Sequence, residues 1–187
     1  MRENPIRTET DPPIRTALIL KLDSKEPPIT DDMIEVTAWH EAGHATMAVL
    51  AGGVIERVTI EPPDDDGLNR YGDTVTRWSG QSQTQYLMSE IRVSLAGPIA
   101  EMIHTGFHEA IDSVPEWQAD WLRAKEAAKP FGQKADQILK QSETEIFELF
   151  EQPNMWACIG AITDDLLAFE TLEHAQVKAT IDFWTTR

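Results

Sequence analysis

Residues 31–50 read Asp31-Asp32-Met33-Ile34-Glu35-Val36-Thr37-Ala38-Trp39-His40-Glu41-Ala42-Gly43-His44-Ala45-Thr46-Met47-Ala48-Val49-Leu50. This stretch predicts a helix. Thr30 or Asp31 offers a capping oxygen, and Asp32 and Glu35 suit the positive end of the helix dipole. Gly52-Gly53 then stops it. Inside it, His40-Glu41-Ala42-Gly43-His44 places two histidines four residues apart, on one helix face. Imidazoles so placed suit zinc, and Glu41 between them is within reach of a water at that metal, as a general base requires. The motif sits inside this capped helix with apolar neighbours Val36, Met47 and Leu50, a context that favours zinc binding.

Two imidazoles do not complete a catalytic zinc site, which takes three protein ligands and leaves one position open. Spacing leaves the third ligand undecided among Glu101, Asp112, Glu116 and Asp120. His104 and His108 are also four apart, but Gly106 between them ends the helix, so they read as loop or surface histidines.

After the zinc helix, Arg57–Glu61 alternates as a strand and Pro62–Gly67 is a loop. Residues 71–78 form a second, more polar strand suited to a sheet edge. From Gln83 the pattern is helical. One helix carries the stripe Tyr86, Leu87, Ile91, Leu95, Ile99 to near Gly106. Others run from Pro115 through Asp120 to about Lys129, over 133–150, and from near Met155. Residues 1–30, with prolines at 5, 12, 13, 27 and 28, read as an extended arm in which Ala17–Leu22 could form a strand. The expected architecture is α+β, a predominantly helical zincin-like domain over 31–187 with a small sheet beside the zinc helix.

The 187 residues carry a net charge of −16, which disfavours nucleic acid and anionic membranes as partners. One cysteine, Cys158, excludes an intrachain disulfide and a multi-cysteine zinc site. Without a secretory signal or membrane span in the sequence, the expected location is the cytoplasm. Asp64-Asp65-Asp66 lacks the pattern of a calcium loop and reads as a solvated turn. The six tryptophans include Trp39, Trp117 and Trp121, which are expected to pack the metal-bearing helices.

Four stretches, in order, resemble the peptidase domain of the FtsH family of zinc proteases. They are His40-Glu41-Ala42-Gly43-His44-Ala45, Glu56-Arg57-Val58-Thr59-Ile60-Glu61-Pro62, Leu95-Ala96-Gly97-Pro98-Ile99-Ala100-Glu101 and Leu166-Leu167-Ala168-Phe169-Glu170-Thr171-Leu172. The resemblance implies a third ligand within Ala119-Asp120-Trp121-Leu122-Arg123-Ala124, namely Asp120. Glu101 is then a carboxylate that orients a ligating imidazole. Pro98 stands where that family has arginine, and the chain contains no Gly-x-x-x-x-Gly-Lys-Ser/Thr phosphate loop. The expectation is therefore a zinc metalloendopeptidase acting on unfolded or flexible polypeptides without its own ATPase. A separate ATPase or a homo-oligomer is the expected partner, and a zinc-binding interaction module is the alternative. The strand over 71–77 is either a seat for a substrate backbone or simply an edge strand.

Overall fold

A computed structural model of the chain describes residues 30–61 and 72–186. The N-terminal arm with its Ala17–Leu22 strand, and the Pro62–Gly67 loop, lie outside the described residues. The elements follow in the order α1 (Asp31–Leu50), β1 (Val54–Thr59), β2 (Asp73–Arg77), α2 (Gln83–Thr105), α3 (Gln118–Ala128), α4 (Ala135–Phe150), α5 (Pro153–Phe169), β3 (Thr171–Leu172) and α6 (His174–Thr185). Short 3₁₀ turns at Ile111–Ser113, Pro115–Trp117 and Lys129–Lys134 link the helices. The architecture is α+β and mostly helical, with one antiparallel sheet of order β2-β1-β3.

Helix α1 is the centre of the fold, packed against α2, α5, α6 and the sheet. It starts at Thr30, whose hydroxyl accepts from the Met33 amide. From Glu41 to Ala48 every residue is buried. A helix buried all round needs small side chains wherever neighbours come close, and Ala38, Ala42, Ala45 and Ala48 are fully covered. Of its larger apolar residues, Met47 is buried, Val36 half-buried and Leu50 exposed. At Gly43 a Cβ would stand 2.6 Å from both the Ala100 Cβ and the Ala96 carbonyl oxygen of α2.

Helix α2 opens on a capping box between Ser82 and Gln85 and closes at Gly106 in the left-handed region, φ 68°. Its stripe faces the core through Ile91, Leu95 and Ile99, while Tyr86 is exposed. Pro98 lies inside it and cannot donate to the Ser94 carbonyl, which loosens that turn.

Strand β1 begins three residues earlier than the alternation suggested, because Val54 and Ile55 pair with Arg77 and Thr76. A bulge follows at Glu56, after which Val58 faces Thr74 and Thr59 faces Asp73. Among the described residues β2 stands at the sheet edge, as expected, and Tyr71 falls outside them. The expected helix from Pro115 is instead a 3₁₀ turn followed by α3, and the helix expected from residue 133 starts at Ala135, after Gly132 at φ 59°. The C-terminal helical run is divided. Glu170, at φ 62°, ends α5 and turns the chain into β3, which pairs with β1. No helix among the described residues is long and apolar enough to cross a membrane.

The contact at Gly43 gives a direct test. Alanine there gains roughly 1 kcal/mol in helix propensity but must push α1 from α2, at a cost of about 1–3 kcal/mol. Gly43→Ala should therefore lower the urea midpoint of unfolding. A raised midpoint would contradict so close a helix contact.

Candidate metal centre

The four-residue spacing brings the His40 and His44 rings together on α1, centroids 4.7 Å apart and nearly perpendicular. Their Nε2 atoms approach to 3.0 Å. Each ring is fixed from behind. His44 Nδ1 donates to the Val93 carbonyl at 2.6 Å, in the α2 turn before Pro98. His40 Nδ1 donates to Glu101 Oε2 at 2.9 Å. With both Nδ1 atoms engaged, both Nε2 atoms face one point.

Asp120, in the first turn of α3 and 1% exposed, reaches that point from the opposite side. Its Oδ2 lies 3.1 Å from His40 Nε2 and its Oδ1 3.5 Å from His44 Nε2. His40, His44 and Asp120 form the one cluster of three potential metal ligands among the described residues, with donor atoms within 4.8 Å of one another. Glu101 stands behind His40 rather than at the shared point, whereas Asp112 and Glu116 are exposed and do not join the cluster.

These residues fit zinc on two counts. Two imidazole nitrogens and a carboxylate are a common zinc donor set, and bonds of ~2.0–2.1 Å imply tetrahedral edges of about 3.3 Å, close to the spacings observed. The second count is room. A Cβ at Gly97 would sit 2.3 Å from His44 Nε2 and 2.7 Å from His40 Nε2, so only glycine leaves the space before both nitrogens open.

Glu41 is also buried, 2% exposed, and its Oε2 accepts from the Thr74 hydroxyl of β2 at 2.7 Å. Gly72, at φ 91°, lies against the same carboxylate, where a Cβ would be 2.7 Å from Cγ and Oε1. The roles of Thr74, Gly72 and Gly97 were not evident from sequence, although Gly97 sits in one of the four resembling stretches. His104 corrects an expectation. It lies in the last turn of α2, half-buried and stacked on Trp39 at 4.8 Å, and Trp39 in turn stacks on Trp156 at 4.4 Å. His108 is exposed in the following connection, as expected.

The electrostatics favour a cation. Burial works against a charged His40, but the hydrogen bonds it donates to Asp120 and Glu101 and the charges of Asp120 and Glu41 outweigh it, raising its pKa to about 10. Burial likewise opposes the Asp120 charge, yet the two imidazoles hold its carboxyl well below the usual carboxylate range. The centre thus binds a proton tightly when no metal is there.

Residues 29–110 match the family model described as Peptidase M50B-like. No curated protein matches the chain. The match supports a metallopeptidase, but in a different family from FtsH, which the four stretches resemble. It spans His40, Glu41, His44, Gly97 and Glu101, and it ends before Asp120.

The proton on His40 makes metal uptake pH-dependent. A pKa of about 10 means that at pH 7 an incoming metal displaces that proton, and competition strengthens as pH falls. Zinc titration calorimetry in two buffers of different ionisation enthalpy should report release of about one proton, with affinity dropping roughly tenfold per unit below pH 7. The metal-free fold shows the reverse side of the linkage. Its stabilisation by protonated His40 is complete below about 6.5 and is lost as pH rises through about 10. Proton-neutral zinc binding would refute this account.

Proposed function

We propose that the chain is a zinc-dependent metalloendopeptidase of zincin-like design, cleaving peptide bonds in unfolded or flexible polypeptides. His40, His44 and Asp120 hold the zinc, and Glu41 is the base. The observation that carries this reading is the convergence of three ligand atoms in the space before Gly97, with a second buried carboxylate alongside. The match over residues 29–110 supports it independently.

Bound zinc supplies Lewis acidity that polarises the scissile carbonyl and eases deprotonation of water near neutral pH. Glu41 takes the proton from the attacking water and passes it to the leaving amine as the C–N bond breaks. Thr74 holds one carboxylate oxygen, which fixes the orientation of the base. Gly72 leaves the Glu41 carboxylate room. Strand β2 carries Thr74 and lies at the sheet edge among the described residues, so a substrate backbone added along it would lie next to the base.

The decisive comparison is cleavage of an unfolded protein by zinc-loaded wild type and Glu41→Gln, with bound zinc quantified in both. Glu41→Gln should keep the metal and lose activity by at least 10²–10⁴-fold. Absence of cleavage by wild type with stoichiometric zinc would favour the interaction module instead.

The two contributions of Thr74 separate by substitution. Thr74→Val keeps the strand and loses the hydroxyl, so kcat should fall with KM little changed. Thr74→Pro also disturbs the strand edge and should raise KM. Identical kinetics in the two variants would remove β2 from substrate binding.

A further inference from the structure

Trp117 occupies the position before α3 where Ser, Thr, Asp or Asn usually caps a helix, and it makes no side-chain cap bond. Its indole is instead turned inward, 1% exposed, and Nε1 donates to Glu101 Oε2 at 2.8 Å. The same oxygen accepts from His40 Nδ1 at 2.9 Å. One carboxylate oxygen of α2 therefore joins a ligand on α1 to the residue that starts α3, three positions before Asp120.

The connection from α2 to α3 makes this bond consequential. Residues 106–117 contain only two short 3₁₀ turns, so the connection has no regular element of its own, and the packing of α3 on α2 is its main other anchor. Asp120 must nevertheless meet two nitrogens on another helix to within a few tenths of an ångström. An aromatic needed only for packing would not require a buried N–H aimed at a carboxylate already shared with a ligand.

We infer that Trp117 is a positioning residue of the metal centre, acting through Glu101 to set Asp120 against His40. The inference rests on the zinc reading above and deepens it. Phenylalanine keeps most of the ring packing and removes the N–H, so Trp117→Phe isolates the tether.

Zinc affinity is measured by competition with a chromogenic chelator, alongside thermal melting of the metal-free protein. Trp117→Phe should weaken affinity about 10–100-fold, the range seen when a ligand's supporting partner is lost. Because Trp117 acts through Glu101, the double variant with Glu101→Gln should bind zinc no more weakly than Glu101→Gln alone. Wild-type affinity in Trp117→Phe, with only the metal-free melting temperature lowered, would reduce Trp117 to packing. Additive losses in the double variant would do the same. Should phenylalanine prevent folding, the indole N–H resonance of Trp117 carries the test. It should shift on zinc saturation in wild type and lose that response in Glu101→Gln, and an unmoved wild-type resonance would overturn the tether. Wild type that takes up no zinc would overturn the metal reading itself, an outcome the chelator assay identifies before any variant is compared.

Discussion

The closeness of α1 and α2 governs everything at the centre of this molecule. The two helices approach until there is no room for a Cβ at Gly43 or at Gly97. That approach brings the Val93 carbonyl to His44 Nδ1 and the Glu101 carboxylate to His40 Nδ1. It therefore orients both rings before any metal arrives. Pro98, within α2, has no N–H for the Ser94 carbonyl in the turn that faces α1. Preorganisation of this kind spares the site from ordering two imidazoles at the moment of binding.

Burial then sets a charge problem. Glu41, Glu101 and Asp120 surround two imidazoles, and Glu41, His44 and Asp120 are nearly inaccessible to water. Neutral imidazoles would leave the carboxylates as uncompensated buried anions, a costly arrangement. A proton on His40 is one remedy and a divalent cation is another, and the two compete for the same nitrogen. Trp39, stacked between His104 and Trp156, ties α1 to α2 and α5 immediately beside His40.

The sequence disclosed this centre unevenly, for physical reasons. The placement of His40 and His44 follows from helix geometry within five residues, and so was legible. Asp120 meets His40 across 80 residues, a distance that no local periodicity encodes, and only the family resemblance singled it out. The helix itself was legible, but the contact that buries it was not, because alanines and a glycine make that contact and leave no large apolar stripe to read. The break at Glu170 left no signal, since a left-handed glutamate carries neither glycine nor proline to mark it. Thr74 and Gly72 were hidden differently: their importance lies in touching Glu41 from another element, which a linear reading cannot register.

The match over residues 29–110 takes in α1, the sheet strands β1 and β2, and α2, and these elements already fix His40, His44 and Glu41. What lies beyond it is the element that supplies Asp120. The connection to α3 compensates for its lack of regular structure with local bonds. Ser113 donates to the Ala110 carbonyl, Gln118 to the Asp112 carbonyl, and the Trp117 amide to Val114. Such bonds stiffen the connection but cannot by themselves aim it, because all of them are internal to it. A bond to the frame formed by α1 and α2 supplies aim, and the half-buried carboxylate of Glu101 is where that frame and the connection meet.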